Sequence, residues 1–116
     1  MFYENMSDLE IDFLVSAEKW KERCLSLNNW NDSAKETYKD IQSGTCVYAD
    51  ARYCNNPTDA WPIIVENNIT IELSHDCTFE AYTTFNGKRC SAIFSEKRDA
   101  LRAAMICFLK MKSEEF

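Results

Sequence analysis

Asn86-Gly87, set between two runs of alternating apolar and polar residues, leaves the chain few ways to fold at that point. Both central residues of a type I′ turn need positive φ, which asparagine and glycine tolerate, and this turn matches the twist of paired strands. The sequence therefore predicts a hairpin of Phe79–Phe85 and Lys88–Phe94, with Phe85 opposite Lys88, Thr83 opposite Cys90, Ala81 opposite Ala92 and Phe79 opposite Phe94. One face then carries Phe79, Ala81, Thr83, Phe85, Cys90, Ala92 and Phe94, two bulky ends around a small middle. The other face carries Glu80, Tyr82, Thr84, Arg89 and Ser91 and reads as wet.

Downstream, Ser95 is placed as the cap of a helix from Glu96 to about Lys112. Leu101, Ala104, Met105, Phe108 and Met111 form its apolar stripe, widened by Ala100, Ala103 and Cys107. The small pair Ala103-Ala104 lets this helix approach the alanine-floored centre of the hairpin, so it should lie across that face. The terminal Lys-Ser-Glu-Glu-Phe reads as a frayed end.

Asn55 to Leu73 holds both prolines, Pro57 and Pro62, and changes from helical to strand-like period within twenty residues. Asp59 is read as the N-cap of a short central helix, Ala60 to Glu66, with Pro62 at N3, where a missing N–H has no helical partner to lose. Asn67-Asn68 ends the turn, and Ile69, Ile71 and Leu73 alternate with Thr70 and Glu72 as a strand. At the other end, Ser7-Asp8-Leu9-Glu10 is a capping box opening a helix from Asp8 to about Leu25. Ile11, Leu14, Val15, Ala17, Trp20 and Cys24 give it an apolar face, against a polar face of Asp12, Glu18, Lys19, Glu22 and Arg23 expected to be solvated.

Residues 28–58 carry weaker signals. Ser33-Ala34-Lys35-Glu36 suggests a second capping box for a short helix, Ala34 to Gln42, broken by Gly44, with a short strand at Thr45 to Tyr48. The segment is otherwise irregular and unusually aromatic, with Trp30, Tyr38, Tyr48 and Tyr53. Two readings stand side by side: these rings anchor a partner, or they fold back over the core as a lid. With Tyr82 of the wet hairpin face, they are the candidate partner-binding residues. A Trp30 or Tyr53 substitution that unfolds the protein would favour the lid.

The 116 residues suit a single α+β domain spanning 1–116: a small antiparallel sheet packed by the first and last helices, with a short helix between. A hydrophobic fraction of 46% belongs to a folded globule. A net charge of -6, with thirteen scattered Lys and Arg, argues against a nucleic-acid partner. MFYENMSDLE has neither the basic nor the apolar region of a secretion signal, and no apolar run is long enough to span a bilayer. The expectation is a protein of a reducing cytoplasm, with no membrane partner, in which the N-x-S/T matches at Asn31 and Asn68 are not glycan sites.

Chemistry is sparse. Cys24, Cys46, Cys54, Cys77, Cys90 and Cys107 form no C-x-x-C pair, so neither a zinc site nor a disulfide framework is expected, and free thiols serve as small apolar side chains. Two glycines cannot build a phosphate-cradling loop. His75, Asp76 and Cys77 are consecutive, and neighbours on a turn or strand point apart, which disfavours a Cys–His nucleophile. No catalytic residue, metal or cofactor is assigned.

SDLEID near the start, CNNPTDAWPIIVENNITI in the middle and LRAAMICFLKMK at the end together resemble the NinX-like family of small proteins from lambdoid phages and their prophages. Residues 28–51 fit none of these motifs. The order of elements is also similar to a phage domain with an α-β-α sandwich. The resemblance implies a phage accessory protein acting in the host cytoplasm, and it carries over no catalytic residue. Two functions of different class follow: a non-enzymatic module that binds and modulates a host protein, for instance in defence or regulation, or a small-molecule or nucleotide protein, sequestering or hydrolytic, with a pocket near Trp61 and Tyr53. Self-association through the outer sheet face is left open.

Overall fold

The computed structural model describes residues 2–45, 51–73 and 78–113. Strands β2 (Phe79–Phe85) and β3 (Lys88–Phe94) pair antiparallel in the register that the turn dictates, Ala81 opposite Ala92 and Phe79 opposite Phe94. Asn86 and Gly87 have φ of 51° and 76°, as a type I′ turn requires. The Phe79 and Phe94 rings stack at 5.3 Å and close one end of the inner face. A further strand, β1 (Thr70–Leu73), joins the free side of β2, giving the order β1-β2-β3.

Helix α4 (Ala100–Ser113) lies on the alanine-floored face, with Ala81 and Ala92 both buried beneath it. Every residue from Ala103 to Leu109 is buried. A helix apolar all round must be covered all round. The sheet covers one side, and α1 (Asp8–Ser26) and α3 (Pro57–Glu66) supply the rest. Arg102 pairs with Asp8 and Lys112 with Glu22, so α1 and α4 run in the same direction. Cys107 Sγ donates to the Cys90 carbonyl at 3.2 Å, and Thr83 Oγ1 donates to the Asn67 carbonyl at 2.9 Å, tying the hairpin to α4 and to the end of α3. The protein is α+β, with four α-helices and three strands among the described residues.

Several caps differ from the sequence expectation. The capping box of Ser7 and Glu10 is present. For α2 (Asp32–Gln42), however, Asn31 and not Ser33 is the cap, its Oδ1 accepting the Ala34 N–H at 2.9 Å. Helix α3 begins three residues earlier than read, capped by Asn56 with Pro57 in the first turn. Asp59 instead accepts the Arg52 N–H from the preceding loop, and Pro62 lies inside the helix. Asparagine outcompetes aspartate here because Pro57 is preset for the first helical position. Ser95 caps nothing: a 3-10 turn at Lys97–Asp99 leads into α4, which starts at Ala100 and continues through Lys112 and Ser113.

The polar face of α1 is not uniformly solvated either. Asp12 is 3% exposed, and Glu18 and Lys21 are 8% exposed. Helix α2 and the loop before α3 cover them, which periodicity within one helix cannot foresee. Conversely, Leu73 in the edge strand β1 is 65% exposed despite its alternating pattern. The expected strand beyond Thr45, together with Tyr48, Cys46, His75, Asp76 and Cys77, lies outside the described residues.

Candidate functional site

Helices α1 and α2 pack side by side and leave a groove on their outer surface. Trp30 sits in the link between them, after Asn28 turns the chain with φ of 57°. Its ring meets Trp20 of α1 edge-on at 6.3 Å and Tyr38 of α2 edge-on at 5.7 Å. Lys21 Nζ lies 5.8 Å from the Trp30 ring and 5.3 Å from the Tyr38 ring, where their negative faces favour a cation. These rings and the stems of Lys35 and Lys39 border a cavity of about 490 Å³.

Tyr38 is fixed at both ends. Its hydroxyl donates to Glu18 Oε1 at 2.5 Å and accepts from Gln42 Nε2 at 3.0 Å. Burial first, and then the neighbouring Glu18 carboxylate, push the Tyr38 hydroxyl well above the usual tyrosine range, so it stays a protonated donor. The groove therefore has a rigid aromatic wall with a rim of mixed charge, Lys35 and Lys39 against Asp32 and Glu36.

A family model described as Bacteriophage P22, NinX matches residues 3–112. The chain belongs to that family. No curated protein and no solved structure matches it. The NinX match runs through residues 28–51, which the three resembling motifs left out, so the aromatic groove lies within the matched span.

In this NinX family member the nominated aromatic residues that the structure describes do not all converge. Trp30 and Tyr38 share the groove. Tyr53 packs half-buried against the core beside Ser16 of α1, and burial raises its pKa. Ser16 and Lys21 are five residues apart on α1, which at about 100° per residue turns Tyr53 well away from the groove. Tyr82 lies on the outer sheet face beneath Arg89, 3.8 Å from its ring, and its hydroxyl donates to Glu72 Oε2. Arg89 also pairs with Glu80, so that face is polar as expected, apart from Ile93 at 69% exposed.

Trp61, named from the sequence as lining a pocket with Tyr53, instead belongs to an exposed apolar stripe that sequence reasoning did not foresee. Trp61, 62% exposed, and Val65, one turn later, stand outward on α3. Helical spacing is the signal that would have turned it outward: Ala60, Ile63 and Ile64 share the buried face of α3, and Trp61 and Val65 fall to one side of it. Among the described residues no group of three or more His, Cys, Asp or Glu side chains is arranged to hold a metal ion. Cys54 and Cys107 are buried; burial pushes the Cys54 thiol far up and that of Cys107 to about 12, so near neutrality both are the poorly nucleophilic thiol. No helix among the described residues is long and apolar enough to cross a membrane.

Proposed function

We propose that this phage protein is a non-enzymatic accessory module that binds and modulates a host protein in the host cytoplasm, with the α1–α2 groove as its contact surface. The observation that carries this reading is the pair of Trp30 and Tyr38, ring centroids 5.7 Å apart, held by Trp20 and Glu18 on the wall of a 490 Å³ cavity. Rigid aromatic rings beside an open groove supply contact area at little entropic cost, which is what interface anchors do.

A small-molecule or nucleotide ligand is the second reading, since aromatic rings beside lysines also suit a base and its phosphates. The rim argues for protein: Asp32 and Glu36 alternate with Lys35 and Lys39, and Lys39 already lies 3.5 Å from Glu36. A phosphate site wants uncompensated positive charge.

The test is capture from host lysate at physiological salt on the immobilised protein, compared with Trp30→Ala and with Tyr53→Ala and Tyr82→Ala. A specific host protein should be retained by the wild type and by the Tyr53 and Tyr82 variants, and lost with Trp30→Ala while cooperative melting persists. A blank, or equal retention by all four, would defeat the reading. A thermal shift with nucleoside phosphates and no captured protein would favour the second.

A further inference from the structure

Glu18 is only 8% exposed on α1, and a carboxylate buried to that degree ordinarily has a cation beside it. Glu18 has none within ion-pair distance among the described residues. Its one hydrogen bond comes from the Tyr38 hydroxyl to Oε1, so Oε2 has no donor there. Lys21, three residues further along α1, stands instead over the Trp30 and Tyr38 rings.

The carboxylate lines a cavity of about 170 Å³ with Tyr3, Leu14, Tyr38, Leu109 and Ser113. Leu14, Leu109 and the two tyrosines give it largely apolar walls, which suit a methylene stem. Tyr3 and Ser113 bring hydroxyl groups to the same space. Ser113 Oγ donates to the Lys110 carbonyl at 2.8 Å, and its lone pairs remain for accepting. The cavity is smaller than the roughly 300–1,000 Å³ of sites that take drug-sized ligands, so a nucleotide does not fit.

We infer that this cavity is a binding site for a primary alkylammonium group, with Glu18 as its counter-ion. A stem between the leucines and tyrosines carries the positive charge to the one buried carboxylate that lacks it. Ammonium is favoured over guanidinium because Tyr38 already engages Oε1. One remaining oxygen serves a compact ammonium, whereas the planar guanidinium fork gains most from both oxygens of a carboxylate. The group arrives either on a free amine or on the lysine side chain of a protein. Tyr38 and Gln42 border both this cavity and the α1–α2 groove, but the ammonium site does not depend on what the groove binds.

Amide correlation NMR on the whole protein, titrated with n-butylammonium chloride at constant ionic strength, tests this. Saturable shifts should gather at Leu14, Glu18, Tyr38, Leu109 and Ser113, and n-butanol and n-propylguanidinium should bind at least about tenfold more weakly. Glu18→Gln keeps an acceptor for Tyr38 and removes the charge, and it should weaken butylammonium binding by a similar factor. Nα-acetyl-lysine methylamide and putrescine separate the two sources: the tighter binder of the pair marks a protein side chain or a free amine. Shifts that fail to saturate or scatter over the surface overturn the inference, as does the absence of that margin over butanol and propylguanidinium. An affinity unchanged by Glu18→Gln overturns it too. Should Glu18→Gln fail to fold, the wild-type comparison of butylammonium with butanol decides by itself.

Discussion

The backbone N–H of Cys54 donates to Asp12 Oδ1 at 3.0 Å, so the loop before α3 is fastened to a carboxylate buried on α1. Burial raises the Asp12 pKa, and the Cys54 N–H only partly opposes that rise. A carboxyl whose folded pKa lies above its unfolded value costs stability once pH climbs past the unfolded value, and the full cost stands above the folded one. Asp12→Asn keeps the acceptor and removes the charge. Its melting temperature relative to wild type should therefore rise as pH increases through the carboxylate range and level off above it. Asp12→Ala, which orphans the Cys54 N–H, should lose about 1–3 kcal/mol at neutral pH in denaturant titration.

Arg102 of α4 donates to Asp8 Oδ1 at 2.8 Å and to the carbonyls of Met6 and Glu4 at 2.6 and 3.1 Å. It gathers the N-terminal segment and the first turn of α1 onto α4. Burial works upward on the Asp8 carboxyl, but hydrogen bonds from Arg102 and Asn55 outweigh it and hold the group below its usual range. Arg102→Met should cost about 2 kcal/mol by urea unfolding, and Arg102→Lys should recover only part of that, because an ammonium lacks the guanidinium fork. The Asp8 contribution should fade as pH falls through its lowered pKa.

Ala81 and Ala92 face each other across β2 and β3 directly under α4, at 0% and 3% exposure. Leucine at either position must push the helix off the sheet. We expect a loss of about 1–3 kcal/mol for each variant in chemical denaturation. The same change at Thr84, exposed on the outer face, should move stability by less than about 0.5 kcal/mol.

Tyr38→Phe separates the two roles of the groove wall. Removing the hydroxyl deprives the buried Glu18 carboxylate of its donor and should lower stability by about 1–3 kcal/mol. The ring remains, so host-protein retention should persist at temperatures below the new melting point. Loss of retention with an intact fold would mean that the hydroxyl, not the ring, contacts the partner.

Local rules were legible where a residue's requirement is met by its near neighbours. Asn86-Gly87 needs only its own φ values to set the strand register, and Ser7 with Glu10 needs only one helical turn. Where several residues compete for one cap, the sequence left the choice open: Asn31 and Asn56 won over Ser33 and Asp59, and Asp59 was drawn to the Arg52 N–H instead. Trp30 and Tyr38 were legible as aromatic candidates, but not their meeting with Trp20 and Lys21, which requires α2 to fold back along α1.

The sequence by itself determined the hairpin and its inner face, the first helix and its cap, and the apolar last helix, because turn geometry and side-chain periodicity act over a few residues. Tertiary structure alone decided which charges are buried and which apolar groups are not. Asp12, Glu18 and Lys21 lost water to elements far away in the chain, while Trp61 and Leu73 kept it because nothing among the described residues covers them as closely. Solvent exposure belongs to the packed whole, and no single segment carries it.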